Sequence, residues 1–174
     1  MRSVLHVGLI IITILLFSTI SYAADRDLHK VWDNRCYDCH GHAGEFARQF
    51  LKADNGELQG RHHVHDLRRF MDNHYLPSQE VDAVYAMLLA QTQTQARFKN
   101  ECSRCHQSAA NLVRQSLQIS NGRLVSRHPG RDVRSFLATH QGMQAGDVDF
   151  YMQVLTRVAK EVYNTSQAPT ALQK

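Results

Sequence analysis

Apolar residues recur along most of this chain at the spacing of helices that bury one face. In residues 28–32, 46–51, 67–71 and 81–89 they return every three or four positions, which predicts short amphipathic helices. Asp66 precedes the third of these segments, where an aspartate can cap the start of a helix. No segment of useful length alternates apolar and polar residues. The pattern therefore predicts an all-α fold.

The second half of the chain repeats the first. When the chain is shifted by 66 residues, sixteen of the forty residues at 36–75 are identical to those at 102–141, without a gap. Asn55-Gly56 recurs as Asn121-Gly122, and both pairs predict turns that break the chain. A repeat of this length predicts two equivalent lobes. We expect a leader at 1–23, lobes at 24–94 and 95–165, and a flexible tail at 166–174.

The N-terminus has the pattern of an export leader. Arg2 precedes an apolar run over residues 4–17, and Ser21-Tyr22-Ala23 follows as a small-x-small cleavage site. This predicts a signal peptide over residues 1–23 and a periplasmic mature protein. The alternative is an uncleaved membrane anchor, because residues 4–23 have about the length needed to span a bilayer.

The composition argues against a nucleic-acid partner, and the small size of each lobe raises the question of what stabilises it. The formal net charge of +4 comes from scattered residues, without a basic run or interleaved aromatic residues, so no nucleic-acid partner is expected. Each lobe would have about 70 residues, a size at which side-chain burial alone stabilises a fold poorly. A large apolar body bound within each lobe would solve this problem.

All four cysteines belong to two C-x-x-C-H motifs, one in each lobe. In c-type haem attachment, two thiols at this spacing add across the haem vinyl groups, and the following histidine becomes the proximal iron ligand. The alternatives are a redox disulfide and a tetrahedral zinc site, but neither explains a histidine directly after both motifs. We expect two covalently bound haem c groups, held by Cys36, Cys39 and His40 and by Cys102, Cys105 and His106.

With these motifs in place, each lobe resembles a shortened class I cytochrome c. The order is an N-terminal helix, the C-x-x-C-H motif, a loop and helix, and a last helix that begins near Leu76-Pro77-Ser78. The resemblance covers about residues 25–163 as two copies, and only the haem motif is specific. It implies two helical lobes packed around covalent haems. That family usually carries an axial methionine shortly before the last helix, where this chain repeats a histidine instead.

The second iron ligand should be a residue that recurs in both lobes. Two histidine pairs meet this condition, whereas no methionine does. We favour His74 and His140, which end the helix before the last one, near the position of the class I ligand. The alternative is His62 and His128, which precede that helix and could instead bind a haem propionate. In a third alternative neither pair binds, and both irons are five-coordinate.

Two arginine pairs also recur in register. Arg61 and Arg127, and likewise Arg68 and Arg134, lie near the expected haem edges. A guanidinium group can bind a propionate through two hydrogen bonds. The alternative is that these residues form an ordinary charged helix face.

Two histidine ligands fill both axial positions of an iron, which suits electron transfer and leaves no site for a small-molecule substrate. The sequence therefore predicts a periplasmic dihaem cytochrome that carries single electrons between redox proteins, soluble or membrane-bound, and is not an enzyme. The alternatives are a dihaem peroxidase-like enzyme and a haem sensor or gas binder with a displaceable distal histidine. The electron donor, the acceptor and the oligomeric state are left open.

Overall fold

The computed structural model describes residues 27–61, 66–140 and 142–163. The leader predicted at 1–23, the alternative ligand His62 and the tail predicted at 166–174 lie outside the described residues. Most of the described residues are helical, and the remaining regular structure is two short hairpins. Within these ranges, no helix is both long enough and apolar enough to cross a membrane.

The first half builds short helices around one hairpin and ends in a long helix. Asp27 caps the first helix by accepting hydrogen bonds from the backbone N–H groups of His29 and Lys30. Asp66 caps α4, as the sequence predicts, by accepting from the N–H of Arg69. The elements are α1 (Leu28–Arg35), α2 (Tyr37–His40), α3 (Ala43–Phe50), β1 (Leu51–Asp54), β2 (Glu57–Gly60), α4 (Leu67–Asp72) and α5 (Ser78–Gln93).

The second half follows the same order of elements with one local change. A π-helical turn, Phe98–Cys102, stands where the first half has α1. Asp132 caps α8 through the N–H of Ser135, which matches the cap at Asp66. The remaining elements are α6 (Ser103–His106), α7 (Ala109–Ser116), β3 (Leu117–Ser120), β4 (Arg123–Ser126), α8 (Val133–Thr139) and α9 (Ala145–Tyr163).

The two hairpins correct the all-α prediction, which holds only in the coarser form of a mostly helical chain. Each pairs two four-residue strands antiparallel, with Leu51 opposite Gly60 and Leu117 opposite Ser126. Leu51 and Leu117, assigned by spacing to helices, are the first residues of strands. The helical assignment of these two leucines was wrong because four residues are too few for an alternating pattern to be recognised.

The turn pairs are what make these hairpins possible. Asn55 and Gly56 have φ values of 50° and 80°, and Asn121 and Gly122 have 50° and 73°. A two-residue loop with positive φ at both positions is the type I′ turn, whose twist matches that of antiparallel strands. The Asn-Gly pairs therefore signal hairpins and not simple breaks between helices.

Two apolar cores lie within the described residues, one in each half of the chain. The first runs from Leu28 to Leu88 and includes Trp32, which is 4% exposed. The second runs from Ala110 to Val162 and includes Tyr151, which is 2% exposed. Cys36 packs against the first core and Cys102 against the second, so each motif belongs to its own core.

Polar contacts join the two halves. The Asp27 carboxylate accepts hydrogen bonds from Arg114 Nε at 2.6 Å and from its NH2 group at 3.1 Å. His29 Nε2 lies 2.9 Å from Glu161 Oε2, and Lys99 pairs with Glu45. These contacts tie α1 of the first half to α7 and α9 of the second.

We expect alanine at the second turn position to weaken each hairpin. Gly56→Ala and Gly122→Ala should each lower the free energy of unfolding by about 1 kcal/mol, because a side chain disfavours positive φ. No atom lies within 4 Å of a Cβ at either site, so the cost comes from the backbone alone. Urea denaturation of the mature protein measures it.

Gly146→Ala is the matched control for these variants. Gly146 lies in the first turn of α9, and a Cβ there also meets nothing within 4 Å. Alanine should be neutral or stabilising there, because it has the higher helix propensity. Equal destabilisation by all three substitutions would contradict the proposed origin of the effect.

The contact between Asp27 and Arg114 should make stability depend on pH. Burial alone would raise the pKa of Asp27, but hydrogen bonds from Arg114 and Lys30 bring this pKa below its ordinary value of 3.8. Asp27→Asn retains a capping oxygen and removes the charge. We expect a loss of about 2 kcal/mol in unfolding free energy at pH 7.

The pH profile gives the sign of this effect. Because the pKa of Asp27 is lower in the folded state, its contribution is present above 3.8 and is lost as the pH falls through the folded value. The difference between wild type and Asp27→Asn should therefore vanish in strong acid. Asp132→Asn, at an exposed cap, is the control and should leave the free energy of unfolding almost unchanged, because asparagine caps a helix about as well as aspartate.

Candidate functional site

Each C-x-x-C-H motif forms a single helical turn whose last residue is the histidine. The turn stops because the next residue has positive φ, 64° at Gly41 and 54° at Gln107. In the first half, the indole Nε1 of Trp32 donates to the Gly41 carbonyl at 2.8 Å. The buried core therefore holds the end of this motif directly.

The four cysteines are unbridged in this structure. Cys36 and Cys102 are half-buried, whereas Cys39 and Cys105 are exposed. Burial raises the pKa of both half-buried thiols above 9.0, which keeps them protonated at neutral pH. Each motif thus offers one thiol at the core and one at the surface.

The favoured histidines face the motif histidines in both halves. The ring centroids of His40 and His74 lie 6.0 Å apart, and those of His106 and His140 lie 6.1 Å apart. His74 lies just beyond the end of α4, and His140 follows α8 directly. A metal ion bonded at about 2 Å to one nitrogen of each ring would separate the centroids by about 6 Å. The spacing fits an iron between each pair.

A cavity of about 780 Å³ lies around the second histidine pair. This volume falls within the usual range for small-molecule and cofactor sites. Its lining brings together the two thiols of the second motif and both imidazoles, with an apolar wall. The lining includes Cys102, Cys105, His106, His140, Leu112, Leu117, Val133, Phe136, Leu137, Met143 and Leu155. These residues suit a flat apolar group that is tethered by thiols and ligated by nitrogen.

His40 is tuned toward the neutral form that binds metals. Burial, and secondly the nearby His74, lower the pKa of His40 below 6.5. The ring of Phe46 meets the ring of His40 edge-on, with 4.5 Å between the ring centroids. The ring centroid of Trp32 lies 6.2 Å from that of His40. A neutral imidazole has a free lone pair, which a metal ligand requires.

Two phenylalanines stack on the favoured ligands, a feature that the sequence analysis missed. The ring centroids of Phe70 and His74 lie 4.7 Å apart, with an interplanar angle of 24°. The ring centroids of Phe136 and His140 lie 4.9 Å apart, with an interplanar angle of 31°. The signal was present, because each phenylalanine precedes its histidine by four residues. Residues four apart lie on one face of a helix. The stacking restricts the orientation of each imidazole.

Of the alternative distal pair, His62 and His128, the structure describes only His128. His62 lies outside the described residues, and His128 is an exposed residue at the margin of the second cavity. The ring contact of His106 is with His140. The geometry therefore favours His140 over His128 as the residue opposite the motif histidine.

The repeated arginines have partners within the protein that are themselves repeated. Arg61 and Arg127 donate to the carbonyls of Leu51 and Leu117, at 3.3 and 3.0 Å, and so brace the hairpins. The second pair forms exposed ion pairs with the last helix of each half. These are Arg68 with Asp82 at 3.0 Å and Arg134 with Asp149 at 2.6 Å.

An ion-pair network beside the second cavity also escaped the sequence analysis. Arg97 binds Glu101 at 2.8 Å and Asp147 at 2.7 Å, and the Tyr151 hydroxyl donates to Glu101 at 2.6 Å. The hydrogen bonds from Arg97 and Tyr151 lower the pKa of Glu101 below 4.5. Burial, followed by the bond to Glu101, raises the pKa of Tyr151 well above 10.0. The contacts of Arg97 with Asp147 and of Tyr151 with Glu101 join residues 50 positions apart, which no local pattern reveals.

Among the described residues, no three or more histidines, cysteines, aspartates or glutamates gather as they would around a bare metal ion. The potential ligands come instead as facing pairs of imidazoles, each beside a pair of thiols. No protein-family model, no curated protein and no solved structure matches the chain.

Proposed function

We propose that this chain is an exported dihaem c-type cytochrome that carries single electrons between redox proteins. The observation that supports this most strongly is the pair of facing imidazoles, 6.0 and 6.1 Å apart, at the same place in both halves. In each pair, one partner belongs to a C-x-x-C-H motif and the other belongs to one of the two histidine pairs that recur in register. The repeat retains this geometry in both halves.

In each half, different residues would bind different parts of the haem. The cysteine thiols would tether it, and His40 with His74, or His106 with His140, would ligate its iron from both faces. The apolar wall around the second site would exclude water from the macrocycle. Haem iron, when bound, supplies a one-electron couple between its ferric and ferrous states.

Electron transfer is favoured over catalysis because both axial positions would be filled. A peroxidase-like enzyme or a gas sensor needs an iron position that opens to a small molecule. Here the ring of Phe70 stacks on that of His74, and the tilted ring of Phe136 lies 4.9 Å from that of His140, so that an aromatic neighbour would restrain each distal imidazole. The redox partners would therefore be proteins that exchange electrons through the haem edge.

The first test is the number of covalent haems. The mature protein, produced in a host with cytochrome c maturation, should show an intact mass that corresponds to two haem additions. Replacing both Cys102 and Cys105 by alanine should leave one haem, because each motif packs against a separate core. A mature wild-type chain without covalent haem, or one that carries zinc, would contradict the proposal.

The second test identifies the distal ligand. His140→Ala should leave one iron with an open position, giving a high-spin band and carbon monoxide binding in about half of the haem. His128→Ala is the matched control, since it removes an imidazole from the margin of the same cavity and should leave the spectrum low-spin. Wild type should be low-spin in both oxidation states and should not bind carbon monoxide.

Other results would assign the site differently. High-spin haem in His128→Ala, with low-spin haem in His140→Ala, would identify His62 and His128 as the distal pair. Low-spin haem in both variants would point to Met143, whose thioether also borders the cavity. Carbon monoxide binding by the wild type would favour the gas binder over the carrier.

A further inference from the structure

The two halves of the chain carry opposite net charge. Residues 24–94 contain eight lysines and arginines against eleven aspartates and glutamates, a balance of −3. Residues 95–165 contain ten against five, a balance of +5. The modest charge of the whole chain conceals this polarity. Surface charge of one sign steers encounters with partners of the other sign.

Much of the difference arises at equivalent exposed positions. Asp38 in the first motif corresponds to Arg104 in the second, and Glu57 in the first hairpin corresponds to Arg123. In the aligned sequences, His65 corresponds to the exposed Arg131. The sites are therefore repeated in their ligands but not in the charge that surrounds them.

Two of these arginines lie at the second cavity itself. Arg104 and Arg131 both line it and are exposed, and neither is paired with a carboxylate in the part of the chain that the structure describes. The two acidic residues of the same lining, Glu101 and Asp147, are both paired with Arg97. The unpaired charge at the cavity rim is therefore positive.

The rim also has an aromatic component. Phe136 is 40% exposed, and the guanidinium of Arg131 lies 5.1 Å from the centre of its ring. Arginine and exposed aromatic residues are enriched in protein–protein interfaces. Anionic membranes, by contrast, attract clusters of about four to eight basic residues. Two arginines that flank a cavity fit a protein partner better than a lipid surface.

We propose that the rim formed by Arg104 and Arg131 is the docking surface for an acidic redox protein, and that the first lobe does not bind this partner. The inference rests on the proposed electron-carrier function. In each encounter one electron crosses between the partner and the second lobe, so that one centre is oxidised and the other is reduced. No proton or chemical group is transferred.

The test uses the full mature holoprotein and probes of defined charge. Poly-L-glutamate represents the acidic surface, and hexacyanoferrate(III) serves as an anionic one-electron oxidant. The double variant Arg104→Gln, Arg131→Gln should bind poly-L-glutamate about tenfold more weakly. Its low-salt oxidation by hexacyanoferrate(III), followed by stopped flow, should slow by a similar factor. Salt should weaken both effects because it screens exposed charges.

The control removes the same charge elsewhere. Arg123→Gln combined with Arg134→Gln changes two exposed arginines of the second lobe that do not line the cavity. This variant should keep most of the affinity for poly-L-glutamate. Equal losses in both double variants would show that net charge alone is responsible and would overturn the proposed rim.

Two further measurements distinguish a failure of the proposed docking surface from a failure of the proposed carrier function. Sedimentation with phosphatidylglycerol vesicles that depends on Arg104 and Arg131, without affinity for poly-L-glutamate, would assign the rim to a membrane and overturn the proposal. Haem content and spectra of the same samples test the carrier function. Two low-spin haems with no effect of the rim variants would refute the docking surface alone, whereas a wild-type chain without haem would remove the basis of both proposals.

Discussion

Each half of this chain is built around two imidazole rings that face each other about 6 Å apart. The motif turn fixes one ring, because a residue with positive φ ends the turn directly after the histidine. The helix before the last one positions the other ring, with a phenylalanine stacked on it. The long last helix of each half then supplies a buried apolar face to the core of that half.

This arrangement explains how such small units are organised. About 70 residues bury too little surface for a robust core, and the second half keeps a cavity of about 780 Å³ where more side chains would otherwise pack. A tethered macrocycle would supply that missing apolar volume. Under the proposed function, the cofactor would fill this cavity and would itself form part of the apolar core.

The two halves share the geometry of their facing histidines but differ in what surrounds these rings. His40 has Trp32 and Phe46 as aromatic neighbours, whereas the second site has the network of Arg97, Glu101, Asp147 and Tyr151 beside it. The net charges of the halves are opposite as well. Polar networks and local charge both influence redox centres, so under the proposed function the two sites need not be equivalent.

The sequence by itself determined the repeat, the two thiol–imidazole motifs and the recurring His74 and His140, because each is a local pattern or an identity in register. The Asn-Gly pairs also determined their turns, but the strands beside them are too short to be recognised without their pairing partners. Only the tertiary structure decided which imidazole faces which, and it placed Arg97 between Glu101 and Asp147. These contacts join residues distant in the chain, and their geometry depends on how the helices pack.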